Sequence, residues 1–227
     1  MNYTGFKNEK HYDRISVYNG DCMELLRQTY DKYYDLCIVD PPYGIGRDGS
    51  IRTRSRHGGR KAHEFRGWDK KPEKKYFDEL FRISKNQVVF GANYFTKHLP
   101  ASMGWIFWDK GQRISNSDGE LAFTSFQVAL RVAEYNRVEL LIEGTIHPTQ
   151  KPVKLYEWIL KNYANQNDKI LDTHLGSGSI AIAVDKANAF DNMNLTLTGI
   201  DLDEEYYYAA TARFEKHKSQ GVLCLNQ

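Results

Sequence analysis

The sequence predicts an α/β protein, one domain built around a layered sheet. Strand-like and helix-like segments alternate from start to finish, which is the pattern of such a sheet. Two of the strands, Tyr34–Val39 and Lys169–Asp172, run straight into clusters of Asp, Pro or Gly, at the carboxyl edge where open α/β sheets bind ligands. The chain has 227 residues, 41% apolar and 26% charged, enough for a two-sided core in a single domain over 1–227.

In order, Ile15–Tyr18 reads as a short strand and Asp21–Gln28 as a short helix. Tyr34–Val39 is a strongly apolar strand that ends at Asp40-Pro41-Pro42-Tyr43-Gly44. Residues 44–68 are rich in Gly and Arg without periodicity and read as a long mobile loop. Lys74–Ile83 sets Tyr76, Phe77, Leu80 and Phe81 on one helical face. Strands are expected at Gln87–Gly91 and Trp105–Asp109, then a β-hairpin from Leu121 to Val132. Leu155, Tyr156, Ile159, Leu160 and Tyr163 have helical spacing, with Pro152 suited to a first turn. The chain closes with a strand at Lys169–Asp172, a helix from about Ser179, a strand at Asn194–Asp201 and a helix after Asp203.

No apolar run approaches the roughly 20 residues that span a bilayer, and Met1–Lys7 lacks the apolar stretch of a signal peptide, so a cytoplasmic, membrane-free protein is expected. Cys22, Cys37 and Cys224 are odd in number and lack metal-ligand spacing; reduced thiols and no metal are the expectation. Net charge is only +2. Its distribution says more, because Arg47, Arg52, Arg54, Arg56, Arg60, Lys61 and Arg66 fall in one stretch against only Asp48 and Glu64.

Two stretches carry chemistry. Lys169–Asp172 followed by Thr173-His174-Leu175-Gly176-Ser177-Gly178-Ser179 is strand, glycine turn and helix, and a second strand ends at Asp201. Glycines let a ligand approach the main chain, and an acidic residue so placed accepts hydrogen bonds from ribose hydroxyls. These residues indicate an adenosine-type cofactor; Gly176-x-Gly178-x-x-Ala181 also fits a dinucleotide fingerprint, so at this point a nicotinamide cofactor stays open. The second stretch is Asp40-Pro41-Pro42-Tyr43. An exocyclic base amine is a poor nucleophile because its lone pair is delocalised into the ring. Asp40 and a carbonyl of the Pro41-Pro42 turn can accept both N–H bonds and localise that lone pair, and the prolines hold the acceptors in place. Tyr43 offers a face on which an extruded base can stack. Standing alone, the same residues would make an ordinary turn.

Taken in order, Asp40-Pro41-Pro42-Tyr43, His147-Pro148-Thr149-Gln150-Lys151-Pro152 and Asp172-x-x-x-Gly176-Ser177-Gly178-Ser179 resemble the β-group of amino-DNA methyltransferases, in which the catalytic motif precedes the cofactor-binding one. Four of the six prolines fall in the first two motifs. The resemblance covers about residues 15–214 and implies a Rossmann-like S-adenosylmethionine-dependent methyltransferase fold, with a mostly parallel sheet, helices on both faces and a terminal antiparallel hairpin. It implies S-adenosylmethionine as cofactor and DNA as partner; a homodimer stays open. Asp40, Pro41, Pro42 and Tyr43 would hold the target base. Asp21 and Cys22 would line the cofactor's adenine, Asp201 its ribose, and Asp172, His174, Gly176, Ser177 and Gly178 its methionine side. Asp40 and His147 would border the cofactor, while Thr149, Gln150 and Lys151 would open a helix facing the methionine carboxylate. Thr173 and His174 depart from the Pro and Phe usual in that family.

The segment between the expected hairpin and His147, about 127–146, is short for a target-recognition region, so the basic run Arg47–Arg66 is expected to bind DNA. Within the resembled family, Asp at the head of the catalytic motif goes with adenine more often than with cytosine, so the resemblance implies adenine N6, with cytosine N4 as alternative. An RNA or protein amine methyltransferase and an inactive nucleic-acid-binding module are further readings, which the motif order and intact Asp40–Tyr43 disfavour.

Overall fold

In a computed structural model the described residues are 1–46, 69–111, 117–136, 144–147 and 149–225. Nine strands form one sheet: β1 (Asn8–His11), β2 (Ile15–Asn19), β3 (Tyr34–Val39), β4 (Ser84–Phe90), β5 (Trp105–Asp109), β6 (Gly119–Thr124), β7 (Arg131–Glu134), β8 (Lys169–Asp172) and β9 (Thr196–Asp201). Their spatial order is β1-β2-β9-β8-β3-β4-β6-β5-β7. The run from β2 to β4 is wholly parallel, and β6 pairs antiparallel with both β4 and β5.

The parallel strands are apolar on both faces because both are covered. Along β3, Leu36 and Ile38 enter one core while Cys37 and Val39 enter the other. On the second face lie helices α1 (Cys22–Gln28) and α2 (Lys74–Ile83), contributing Leu25, Leu26, Phe77, Leu80 and Ile83. On the first lie α3 (Val153–Tyr163), α4 (Ser179–Asp191) and α5 (Glu204–Leu225), contributing Leu155, Ile159, Ile180, Val184, Tyr207 and Phe214. Phe77 and Leu80 are fully buried, and each such side chain stabilises the fold by roughly 1.5–3 kcal/mol. Phe81 is only half-buried; Ile83 completes the buried face of α2 instead.

Three expectations are corrected. Leu121–Val132 is not a hairpin: β6 already bonds β4 on one side and β5 on the other, so β7 takes the remaining edge of β5, in parallel. The antiparallel hairpin is β5–β6. Residues 131–134 of the expected recognition segment therefore belong to the sheet as an edge strand. Thr149–Lys151 do not open a helix, since α3 starts at Val153 with Pro152 as its N-cap; a proline disfavours helical geometry in the residue before it. Strand β1 was not expected, because Asn-Glu-Lys-His has no apolar pattern, a composition that suits an exposed sheet edge.

Arg47, Arg52, Arg54, Arg56, Arg60, Lys61 and Arg66 lie outside the described residues, as do residues 137–143 of the recognition segment. Among the described residues no helix is long and apolar enough to cross a membrane.

Candidate active site

Strands β3 and β8 are neighbours, with Leu36 opposite Ile170 and Cys37 opposite Leu171. Asp172, the last residue of β8, and Asp40, just past β3, therefore open on the same sheet edge. Strand β9 lies on the other side of β8 and ends at Asp201, in register with Asn19 at the end of β2. The Asn19–Cys22 stretch, the Asp40–Tyr43 turn and the glycine turn are thus brought side by side.

Asp40 is held at both oxygens. Tyr43 Oη donates to its Oδ1 at 2.6 Å, and the Lys151 ammonium donates to its Oδ2. Lys151 Nζ also lies 3.4 Å from Glu120 Oε2, whose other oxygen accepts from Lys110 Nζ at 2.7 Å. The Lys151 side chain is only 3% exposed. Burial pushes the Asp40 carboxyl above its ordinary value even with that ammonium beside it. Burial also opposes an ionised Glu120, but the Lys151 and Lys110 ammoniums outweigh it and hold that carboxyl below its ordinary value. Burial would lower Lys151; the two carboxylates outweigh it and raise it. Lys151 was expected at the methionine carboxylate from a helix start; residues 149–151 are not helical, and the structure engages Lys151 with Asp40.

Tyr43 stands on the backbone of Gly91 and stacks on Tyr94, with centroids 5.0 Å apart and planes 17° from parallel. Gly91 has φ of +62°, and a Cβ there would lie 2.1 Å from the Tyr43 ring. Only glycine permits both the conformation and the contact. Pro41 is buried and Pro42 half-buried beneath the turn. Asp69 accepts from the Gly44 and Ile45 N–H groups at 2.7 and 2.9 Å, fixing where the chain leaves it. Replacing Gly91 by valine is expected to cost about 1–3 kcal/mol through backbone strain and overpacking, seen as a lower Tm, and to lower kcat more than it weakens cofactor binding.

On the glycine side, Gly176 N–H donates to Asp201 Oδ2 at 2.7 Å and Asp203 N–H to Oδ1 at 2.9 Å, so Asp201 pins the turn. The N-terminus of α4 is tied down by Ser179 Oγ on the Lys151 carbonyl, and by Arg213 on the Ser177 carbonyl and Ser179 Oγ. Ser177 and Ser179 hydroxyls meet at 3.0 Å. Gly178, at φ +69°, packs on Ala210. The His147 ring covers Gly176 and leans on Tyr206 at 4.3 Å.

Four expected cofactor residues have local work as well. Asp21, exposed, caps α1 through Met23 N–H, and burial pushes the adjoining Cys22 thiol up to about 12. Gln150 spends its amide on Ile146 N–H and the Gly144 carbonyl, and Thr149 bonds the His147 ring. Burial lowers His174 to about 4, leaving it neutral; its ring bonds Thr173 Oγ1 and packs edge-on against Tyr76.

A ligand is implied by Asp172. Its Oδ1 accepts from His174 N–H, while its Oδ2 is buried with no hydrogen-bond partner. Burial pushes that carboxyl up to about 8 and Asp201 up to about 7. Asp40 and Glu120 offset the Lys151 and Lys110 ammoniums, which leaves Asp172 and Asp201 as an acidic surplus that suits a cationic ligand. Among the described residues no group of three or more His, Cys, Asp or Glu side chains is placed to hold a metal ion.

Glu120, Lys110, Gly91 and Tyr94 were not anticipated from the sequence. Glu120 is a single charge near the start of an otherwise apolar strand, Gly119–Thr124, and that is the one signal it gave.

Fold and site define the class: a Rossmann-like fold of the S-adenosylmethionine-dependent methyltransferase type. The structure of M1.HpyAVI in complex with SAM superposes with a TM-score of 0.59 at 20% identity, covering 88% of this chain and 99% of that one. PvuII DNA methyltransferase (cytosine-N4-specific) superposes at 0.61 with 14% identity, covering 95% and 94%. A family model described as DNA methylase matches residues 108–212. Type II methyltransferase M.HpaI of Haemophilus parainfluenzae is 25% identical across 86% of this chain and 73% of its own length. Over residues 108–212 the chain is similar to DNA methylases, and its fold is that of these methyltransferases.

Proposed function

We propose that the protein transfers a methyl group from S-adenosylmethionine to an exocyclic amine in DNA, adenine N6 in first place. The observation that carries this reading is Asp40, partly buried, hydrogen-bonded at both oxygens and beside the Asp172–Gly178 turn. The pocket fits the cofactor: its sulfonium and ammonium match the acidic surplus, and the ammonium suits the unpartnered Asp172 Oδ2. Asp201 and the Asn19–Cys22 stretch would take the adenosine, and Gly176 to Gly178, under His147, the methionine side. Thr149 and Gln150 would shape the His147 loop rather than touch the cofactor.

When bound, S-adenosylmethionine supplies a methyl group already activated on sulfur. Asp40 accepts one N–H of an extruded base's amine and a carbonyl of the Pro41-Pro42 turn the other. The nitrogen becomes pyramidal, with its lone pair aimed at the methyl. Tyr43, backed by Tyr94, stacks on the base. The Pro41-Pro42 turn fixes the backbone that carries both acceptors, which limits reorganisation at the transition state.

Cytosine N4 is the second reading, favoured by the cytosine-N4 specificity of the PvuII enzyme. Methyl-labelled S-adenosylmethionine and unmethylated DNA, followed by nucleoside mass spectrometry, decides. N6-methyladenine is expected; N4-methylcytosine would move the assignment, and label in RNA or protein alone would overturn it. A DNA substrate accords with a cytoplasmic location. Arg52, Arg54 and Arg56, changed together to alanine, are expected to weaken DNA binding and reduce the slope of log K against log salt by up to about 3. An unchanged slope would show that the Arg47–Arg66 run does not bind phosphate.

A further inference from the structure

Each Asp40 oxygen already carries one strong donor, so a base amine arriving there would have to share an oxygen with Tyr43 or Lys151. Asp40 Oδ1 holds the Tyr43 hydroxyl and its Oδ2 the Lys151 ammonium. Both donors already face a second carboxylate: Glu120 Oε2 is 3.4 Å from Lys151 Nζ and 3.5 Å from Tyr43 Oη. Glu120 is itself fixed from behind. Its Oε1 accepts from Lys110 Nζ at 2.7 Å, and Lys110 rests over the Trp108 ring at 5.1 Å. Glu120 lies on β6 with Trp108 of β5 opposite it in the ladder, and Lys110 directly follows β5 with its N–H bonded to the Asp118 carbonyl at 2.9 Å, so the second carboxylate sits on rigid backbone.

We infer that Glu120 is a positioning residue for the proposed reaction, the alternative seat onto which Lys151 and Tyr43 swing when Asp40 turns to the base amine. Without it, freeing Asp40 would leave a buried ammonium and a buried hydroxyl unpaired, which is a large penalty in a dry site. With it, one charge-assisted hydrogen bond is exchanged for another within the same cluster, and the charges remain balanced throughout. Lys110 serves by preventing Glu120 from collapsing onto Lys151. No proton or bond to carbon is transferred in this step; hydrogen-bond donors change acceptors. The inference rests on the assignment of Asp40 as the acceptor of the base amine.

The test uses the full chain. Glu120→Gln is expected to lower kcat for DNA roughly 10–100-fold by misplacing the acceptor, with the cofactor Kd within about twofold of the parent. The double variant Lys110→Met, Glu120→Gln removes one charge of each sign and keeps the cluster neutral; it is expected to remain as slow. Recovery of the parent kcat in the double variant would overturn the inference, since Glu120 would then serve charge balance alone. A second measurement does not depend on activity: a crystal structure of Asp40→Asn should show Lys151 Nζ and Tyr43 Oη on Glu120. Either donor remaining on residue 40, or turned elsewhere, would also overturn it. If the parent protein transfers no methyl to DNA, the proposed function falls, and the Asp40→Asn structure still decides whether Glu120 receives the two donors.

Discussion

Replacing Asp40 by alanine is expected to abolish methyl transfer to DNA, with kcat reduced about 10³-fold or more. Two effects combine. The amine loses the acceptor that localises its lone pair, a charge-stabilising contact of the kind whose removal costs roughly 10²–10³-fold. The Lys151 ammonium loses its carboxylate partner and the Tyr43 ring loses the bond that fixes its angle, so the base is also presented less well. The fold should survive, because Lys151 keeps Glu120 at hand and Asp40 lies in a turn after β3 rather than within the ladder. Single-turnover methylation measured beside calorimetric titration of the cofactor checks this. A variant that retained more than a tenth of the parent rate would remove Asp40 from the chemistry.

The second large effect concerns Asp172. Its carboxyl titrates near 8 in the free protein because burial disfavours its charge, and Asp201 near 7 for the same reason. Pairing with a cofactor ammonium requires the ionised form, so cofactor affinity should rise as pH increases from 6 towards 8. Asp172→Asn should weaken binding about 10–100-fold, from the roughly 1.5–3 kcal/mol of a hydrogen bond to a charged group, and flatten the pH dependence. Stability should move the other way. A carboxyl whose folded value lies above its unfolded value favours folding at pH below about 4 and loses that contribution as pH rises through about 8. The free protein's Tm should therefore fall between pH 5 and 9, and Asp172→Asn should fall less. A parent protein whose cofactor affinity is constant over this range would show that Asp172 is not the partner.

How much of this was legible in the sequence follows from what each residue interacts with. The parallel strands were readable because both faces of β3 and β8 are buried, so their sequences are continuous apolar runs ending at conspicuous turns. The pairing of β7 was not, because an amphipathic strand records which face is buried and not which edge is free. Asp40–Tyr43, His147–Pro152 and Gly176–Ser179 announce themselves as local clusters of unusual residues. Glu120 and Lys110 do not: each is an isolated charge beside an apolar strand, and only the sheet brings them to Lys151. The direction of Lys151 was obscured by Pro152, which the helical pattern of Leu155–Tyr163 absorbed as a first-turn residue while the structure places it at the N-cap, with extended backbone, so that the helix begins only at Val153.

The order of strands has a further consequence for how the site comes into being. β3 carries Asp40 and pairs with β8, which carries Asp172, although Leu36 and Ile170 are 134 residues apart in the chain. Such parallel, non-local pairing forms only after a long loop has closed, which places the fold among the slower ones, on the scale of milliseconds to seconds. During synthesis, at about 5–20 residues per second, Asp40 emerges well before its neighbours in the sheet exist. The early half of the chain is thus born without a cofactor turn, and the two halves of the site are completed together, late, when β8 inserts between β3 and β9.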